Sequence, residues 1–331
     1  MALKVAINGT GRIGLIVAKI VTSREDMELV AMNTTADMEM LKYLLKYDSI
    51  HDGVDAQIVD DTTMNINGHQ VKISFTRDID ALEFGKHGAE VVIECTGVFL
   101  TTEKCQGYLK DGVRKVVMSA PAKDATPTYV LNINTDQYSG EAIISNASCT
   151  TNCLAPICKI LDDAFGIENG LMTTIHSYTN DQNILDIKHN KDVRRARAAA
   201  INMIPTTTGA AKAIGLVMPH LQGKLNGYAM RVPTADVSVV DLTVNLKRYV
   251  TKEEVNEAMV RASQGVFDGL IEIDYDKRVS SDFIGSTYSA TFIPDMTSVV
   301  DDKTVKVLAW YDNEWGYSAR LVDMVALVGS R

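Results

Sequence analysis

Residues 4–20 read Lys-Val-Ala-Ile-Asn-Gly-Thr-Gly-Arg-Ile-Gly-Leu-Ile-Val-Ala-Lys-Ile. A short apolar run ends at Asn8, the turn Gly9-Thr10-Gly11-Arg12-Ile13-Gly14 follows, and a second apolar run continues at helical spacing. The order strand, glycine-rich turn, helix is what a dinucleotide-binding unit requires, with Gly9, Gly11 and Gly14 at the Gly-x-Gly-x-x-Gly spacing. The first glycine makes the tight turn, the second lets backbone approach a pyrophosphate, and the third lets the helix pack closely on its strand. A merely structural turn is the alternative. Against it stands the context, including a further strand over residues 28–32 at the expected distance.

Working outward, residues 71–75, 90–95, 115–119 and 142–145 are further strand candidates, several ending in glycine or small polar residues. Residues 1–148 are therefore expected to form a Rossmann domain of α/β class, a doubly wound, mainly parallel sheet. In such sheets the ligand lies off the carboxyl ends of the strands, which places Asn8, Asn33, Thr96, Gly97, Ser119 and Ala120 on the rim.

The last of these runs leads into Ser145-Asn146-Ala147-Ser148-Cys149-Thr150-Thr151-Asn152-Cys153, after which Leu154, Ile157, Ile160, Leu161 and Ala164 recur at helical spacing until Gly166. Cys149 reads as a nucleophile near a helix start, where unpaired N–H groups and the positive dipole end lower a thiol pKa and attract anions. An ordinary buried thiol is the plainer reading. Pro156 falls inside the pattern, so the helix begins either near Pro156 or near Cys149 with a bend. Among six histidines only His176 follows an apolar strand, residues 171–175, that could end in a pocket. It is either the base for Cys149 or structural. Cys153 shares a helix face with Cys149, but without a Cys-x-x-Cys spacing it is read as a packing residue.

Beyond residue 148 the pattern changes. Val240, Leu242, Val244 and Leu246 alternate with Val239, Asp241, Thr243 and Asn245, which predicts an antiparallel sheet half covered by helices. Residues 171–176, 225–232 and 304–310 are its expected neighbours, and helices are expected over 209–217, 251–264 and 316–328. An α+β catalytic domain with a mostly antiparallel sheet is thus expected over 149–314.

A chain of 331 residues, 46% of them hydrophobic, can bury a large core and suggests about two domains. The formal charge of −9 disfavours nucleic acid or an anionic membrane as main partner. No apolar stretch nears the roughly 20 residues that span a membrane, and the start lacks a secretory apolar core, so a cytoplasmic location is expected. Five irregularly spaced cysteines read as reduced thiols, without the paired spacing of a metal site. The basic run Lys188, Lys191, Arg194, Arg195 and Arg197 is either a solvated loop or a wall facing phosphate.

The segment Ala147-Ser148-Cys149-Thr150-Thr151-Asn152-Cys153-Leu154-Ala155-Pro156 resembles the active-site signature of phosphorylating glyceraldehyde-3-phosphate dehydrogenases. The likeness covers residues 5–316 through Ile7-Asn8-Gly9, Leu44-Leu45-Lys46-Tyr47-Asp48-Ser49, Pro205-Thr206-Thr207-Thr208-Gly209-Ala210-Ala211-Lys212 and Trp310-Tyr311-Asp312-Asn313-Glu314-Trp315-Gly316. The resemblance implies that glyceraldehyde 3-phosphate is oxidised to 1,3-bisphosphoglycerate through a Cys149 thioester, with His176 as base and inorganic phosphate as acceptor, in glycolysis or gluconeogenesis. It implies cofactor contacts from Arg12, Ile13, Arg77 and Ser119, with Asn313 orienting the nicotinamide carboxamide. One anion site falls to Thr179, Asp181 and Arg231, a second to Ser148, Thr150, Thr208 and Gly209, with Arg194 near both. The same resemblance implies a C-terminal helix over 315–331 that returns to the first domain, and a homotetramer in which a loop over 178–200 reaches a neighbour's cofactor site. An erythrose-4-phosphate dehydrogenase would use the same machinery. A cysteine hydrolase would need no glycine turn, and a scaffold without turnover would be expected to lack Cys149 or His176.

Two departures from the family bear on the cofactor. NAD sites of this kind place a carboxylate about 20 residues after the glycine turn, where it repels a 2′-phosphate. Here that place reads Met32-Asn33-Thr34-Thr35, with Thr34 where NAD-using relatives have aspartate. Lys188 stands where relatives commonly have proline, and a lysine there could pair with a 2′-phosphate. The expectation is NADP, alone or together with NAD.

Overall fold

The structure, a computed structural model, describes residues 2–190 and 192–331, so Lys191 of the basic run lies outside the described residues. The chain divides into two compact units. The first holds the described residues of Met1–Leu131, Gln137–Ser148 and Ser318–Arg331, the second those of Asn132–Asp136 and Cys149–Tyr317.

In the first unit the chain runs through β1 (Leu3–Asn8), α1 (Arg12–Val21), β2 (Met27–Asn33), α2 (Met38–Lys46), β3 (Ala56–Asp60), β4 (Thr63–Ile66), β5 (His69–Ser74), β6 (Val91–Glu94), α3 (Thr102–Cys105), β7 (Lys115–Met118) and β8 (Ile143–Ser145). The strands lie in the order β3-β4-β5-β2-β1-β6-β7-β8. Pairs from β5 through β8 are parallel, and the β3, β4 and β5 pairs at one edge are antiparallel. Val5, Ala6 and Ile7 of β1, and every residue of β6 and β7, are buried, as a sheet covered on both faces requires. The order reverses at β1, whose neighbours are β2 and β6, and that reversal is where a doubly wound sheet opens a crevice. The edge hairpin was not anticipated. Its signal was the dipeptide Asn67-Gly68, both residues at positive φ, joining β4 to β5 with Ile66 opposite His69.

The second unit follows as α4 (Cys149–Phe165), β9 (Ile167–Ser177), β10 (Ile204–Thr207), α5 (Ala210–Val217), β11 (Leu225–Val232), β12 (Ser238–Leu246), α6 (Lys252–Ser263), β13 (Ile271–Ile273), β14 (Ala290–Phe292), β15 (Ser298–Val300), β16 (Thr304–Tyr311) and α7 (Trp315–Gly329). Its sheet runs β10-β11-β9-β12-β16-β14-β13, with β15 also on β16. All pairs are antiparallel except β9 with β11 and β13 with β14. Along β12 the predicted alternation holds: Val240, Leu242, Val244 and Leu246 are buried while Val239, Asp241, Thr243 and Asn245 are half-buried. From Ser318 onward α7 belongs with the first unit, where Asp323 pairs with Arg24 at 2.8 Å and Gly329 lies against Leu3.

Buried polar side chains tie the carboxyl ends of β1, β2 and β6 together. Asn33 Nδ2 donates to Asn8 Oδ1 at 2.7 Å, and Asn8 Nδ2 donates to Glu94 at 3.1 Å and to the Tyr108 hydroxyl. Glu94 is fully buried and also accepts from the Thr96 N–H at 2.6 Å, the Thr96 hydroxyl and the Tyr108 hydroxyl. Burial pushes the Glu94 carboxyl above its usual range, and these donors pull it back. A buried acceptor that loses a donor carries its desolvation cost unrelieved, about 1–3 kcal/mol. Tyr108→Phe is therefore expected to lower unfolding stability by that amount in a urea titration. An unchanged midpoint would contradict the network.

Candidate functional site

A cavity of about 630 Å³ opens off the carboxyl ends of β1, β2 and β6, lined among others by Asn8, Gly9, Gly11, Asn33, Thr34, Thr35, Arg77 and Thr96. Its floor needs glycine. Gly9 has φ +100°, and a Cβ at Gly14 would come within 1.9 Å of the Gly9 carbonyl oxygen. Gly11 caps the N-terminus of α1, and a Cβ there would meet nothing within 4 Å, so this turn faces open space. Arg12 and Ile13 begin α1, and Arg12 donates to Asp48 at 2.8 Å. A close-packed turn at a helix start beside an open cavity fits a dinucleotide's pyrophosphate.

Within this cavity the Thr34 hydroxyl accepts the Ala36 N–H at 3.0 Å and shares a 2.6 Å hydrogen bond with Thr10. Exposed residues of its lining include Gly11, Thr35, Arg77 and Val98. Ser119 bonds the Cys95 thiol, and Lys188 is exposed on the second unit's loop.

In the second unit Cys149 is the first residue of α4, which runs unbroken with Pro156 inside it, so the helix begins at the cysteine. Two residues earlier Ala147 is buried with φ +56°, a left-handed conformation that an alanine adopts only when its surroundings hold it there. The Cys149 sulfur lies 3.6 Å from His176 Nε2. His176 Nδ1 sits between the Ser177 carbonyl oxygen at 2.7 Å, which only accepts, and Arg231 Nη1 at 2.9 Å, which only donates, so the ring proton lies on Nδ1 when the first bond forms and on Nε2 when the second does. Arg231 stands opposite His176 in the β9–β11 register, donates to the same carbonyl at 2.8 Å and puts its charge beside the ring.

Electrostatics here depart from the simple helix-start expectation. Burial pushes the Cys149 thiol up, while Arg231, the Thr150 hydroxyl and the N–H groups of Thr150 and Cys149 itself pull it back without reversing it. Burial, followed by the charges of Arg231 and Arg195, lowers His176 to about 3. Both shifts favour the neutral thiol and the neutral imidazole over the ion pair.

Around this pair the candidate anion groups sort themselves. Thr150 Oγ1 is 3.9 Å from the sulfur, and Ser148 precedes Cys149 in the chain. Thr208 accepts the Ala210 N–H at 3.2 Å, and Gly209 caps α5. Thr179 is half-buried at the loop following β9. Asn313 accepts from the hydroxyls of Ser177 at 2.8 Å and Ser238 at 2.6 Å, which fixes the face its amide presents. Arg194, expected near both anion sites, has an exposed side chain. The neighbouring Arg195 pairs with Asp181 and donates to Thr206 at 2.8 Å and the Thr207 carbonyl at 3.1 Å. The two arginines sit in one short turn, Val193–Ala196, where consecutive side chains diverge, and no period in the residues distinguishes them.

Comparison with known proteins agrees with this geometry. Residues 3–102 match the family model described as glyceraldehyde 3-phosphate dehydrogenase, NAD binding domain, and residues 148–313 match the corresponding C-terminal domain. The chain is 51% identical to the glyceraldehyde-3-phosphate dehydrogenase of Geobacillus stearothermophilus, covering 100% of this chain and 99% of that protein. It is 49% identical to glyceraldehyde-3-phosphate dehydrogenase 1 of Bacillus subtilis over 100% and 99% of the two chains. It is also 49% identical to the Mycobacterium avium enzyme over 99% of each.

All five cysteines are free, and Cys105, Cys153 and Cys158 are buried. Burial also pushes the half-buried Cys95 thiol far up. Iodoacetamide is expected to modify Cys149 first. His176→Asn removes the imidazole that faces the sulfur and can take its proton, so alkylation near neutral pH should slow and its pH profile should change. An unchanged profile would take His176 out of the pair.

Proposed function

The chain belongs to the glyceraldehyde-3-phosphate dehydrogenase family, and from that premise we propose that it oxidises glyceraldehyde 3-phosphate to 1,3-bisphosphoglycerate with Cys149 as nucleophile and His176 as base. The observation that carries the proposal is the 3.6 Å contact between the Cys149 sulfur and His176 Nε2. Cys149 gives up its proton to Nε2 and attacks the aldehyde carbon, and Nε2 hands that proton to the carbonyl oxygen, forming a neutral hemithioacetal with Nε2 free again. Nε2 then takes the hemithioacetal hydroxyl proton as the carbon loses hydride, leaving a thioester. Inorganic phosphate attacks the thioester carbonyl, and the thiolate leaves. A nicotinamide cofactor, when bound by the Gly9–Gly14 turn, supplies the hydride acceptor.

Arg231 and Arg195 have two effects. Their charge holds His176 neutral in the free protein, and anions bound to them would cancel part of that charge. Substrate phosphate on Arg231, Thr179 and Arg195, and inorganic phosphate on Ser148, Thr150, Thr208 and Gly209, would then raise the imidazole pKa just when it must accept a proton. Guanidinium, hydroxyl and N–H donors suit both anions. Asp181 positions Arg195.

Assembly into a homotetramer is supported by a broad apolar surface on the second unit, where Ile184, Leu185, Val193, Ile201 and Met203 are 73–83% exposed. The five free thiols support a reducing, cytoplasmic setting, and glycolysis or gluconeogenesis follows from the substrate. Among the described residues no helix is long and apolar enough to cross a membrane.

Two outcomes are expected. Absorbance of reduced nicotinamide should grow with glyceraldehyde 3-phosphate only when phosphate is present, and Cys149→Ser should abolish it while cofactor still binds. Sustained turnover without phosphate, or faster turnover of erythrose 4-phosphate, would overturn the assignment. For the cofactor, we propose that NADP is used alone or with NAD, because position 34 carries no carboxylate, Arg77 lines the same cavity, and in the family's tetramer the loop that bears Lys188 would reach a neighbour's cofactor site. The ratio of kcat/KM values should not favour NAD by more than about tenfold, or about 1.4 kcal/mol. A larger NAD preference would refute this, and Thr34→Asp should shift the ratio toward NAD.

A further inference from the structure

Tyr311 ends β16 with its ring 3% exposed and its hydroxyl between two threonines, 2.8 Å from Thr150 Oγ1 and 2.8 Å from Thr174 Oγ1. Thr150 is in the first turn of α4, 3.9 Å from the Cys149 sulfur. Thr174 is fully buried on β9, two residues before His176 and on the same face of the strand. The Tyr311 ring also meets the His176 ring edge-on, with centroids 6.0 Å apart at 80°. One phenol thus touches an element on each side of the reactive pair.

We propose that Tyr311 is a positioning residue whose hydroxyl orients the Thr150 hydroxyl so that its proton points at the Cys149 sulfur. The inference rests on the reading of Cys149 as nucleophile. Three hydroxyls in a row carry three protons, and the row has two directions. If Thr174 donates to Tyr311 and Tyr311 donates to Thr150, the Thr150 proton is left to donate to sulfur. In the opposite direction Thr150 donates to Tyr311 and turns a lone pair toward the sulfur, which disfavours the thiolate. Negative charge forming on sulfur selects the first direction, and each bond in the row then strengthens the next.

The same direction serves the oxygen that becomes an anion when phosphate attacks the thioester, because Thr150 is one of the donors assigned to that phosphate. Other groups face the sulfur and its partner: His176 from β9, Arg231 from β11 with Arg195 and Asp181 behind it, and Cys153 from α4. None of them is altered when the phenol loses its oxygen. Sequence reading missed Tyr311 because an aromatic in an apolar strand reads as core.

The test is the pH dependence of Cys149 alkylation by iodoacetamide in the full-length protein, for the parent, Tyr311→Phe, Thr150→Val and the double variant. Tyr311→Phe keeps the ring against His176 and removes only the hydroxyl. The profile is expected to move to higher pH, with alkylation near neutrality slowed roughly three- to tenfold, the scale of one hydrogen bond. Thr150→Val should give a similar shift, and the double variant should shift no further than the larger single change. Superimposable parent and Tyr311→Phe profiles, or fully additive shifts, overturn the proposal.

Should Tyr311→Phe fail to fold, Thr174→Val removes the donor at the far end of the row. It must shift the profile in the same direction, and no shift overturns the proposal equally. Alkylation of Cys149 that spares activity overturns the reading of the site itself, whereas coincident profiles with activity lost on alkylation overturn only the role of Tyr311.

Discussion

A half-buried sulfur and a buried imidazole 3.6 Å apart are both costly to charge, and the second unit is arranged around that cost. Burial works against thiolate and imidazolium alike. Arg231 then acts on them with opposite sign, favouring the thiolate and opposing the imidazolium. An anion bound to the Arg231 guanidinium would weaken both of its effects.

Holding such a pair requires rigid supports, and each comes from a different element. Helix α4 starts at Cys149 and continues through Leu154, Ile157 and Leu161, all fully buried, which fixes its first turn. Strand β9 carries His176 one residue before its end, and the parallel register with β11 sets Arg231 directly opposite. The left-handed Ala147 marks where the chain is bent to bring the cysteine to the helix start. In the first unit the same logic appears in a different form. Glu94, Asn8 and Asn33 tie three strand ends into one buried network under the turn that Gly9 and Gly14 close.

Much of this was legible in the residues because period and punctuation are local. The glycine spacing after β1, the alternation along β12 and the hydroxyl-flanked thiol each announced an element, and Cys149 with His176 came out as neighbours. What escaped depended on contacts between distant segments or on direction within a turn. Arg194 and Arg195 are indistinguishable in sequence, yet only Arg195 reaches Asp181 and Thr206. Tyr311 lies 161 positions from Thr150, and nothing local to it points there. The contacts of the Thr34 hydroxyl with Thr10 and the Ala36 N–H were likewise not legible, since one of them joins residues 24 positions apart. The Asn67-Gly68 turn was present in the sequence and overlooked.

The central claim is that the oxidised substrate is carried as an acyl group on one sulfur, and chemical trapping tests it most directly. The protein is mixed with cofactor and glyceraldehyde 3-phosphate without inorganic phosphate, quenched in acid, and its peptides are weighed by mass spectrometry. The account predicts a phosphoglyceroyl thioester on the peptide containing Cys149, lost when inorganic phosphate is added before the quench. An adduct on another residue, or reduced cofactor formed without any adduct, would contradict it.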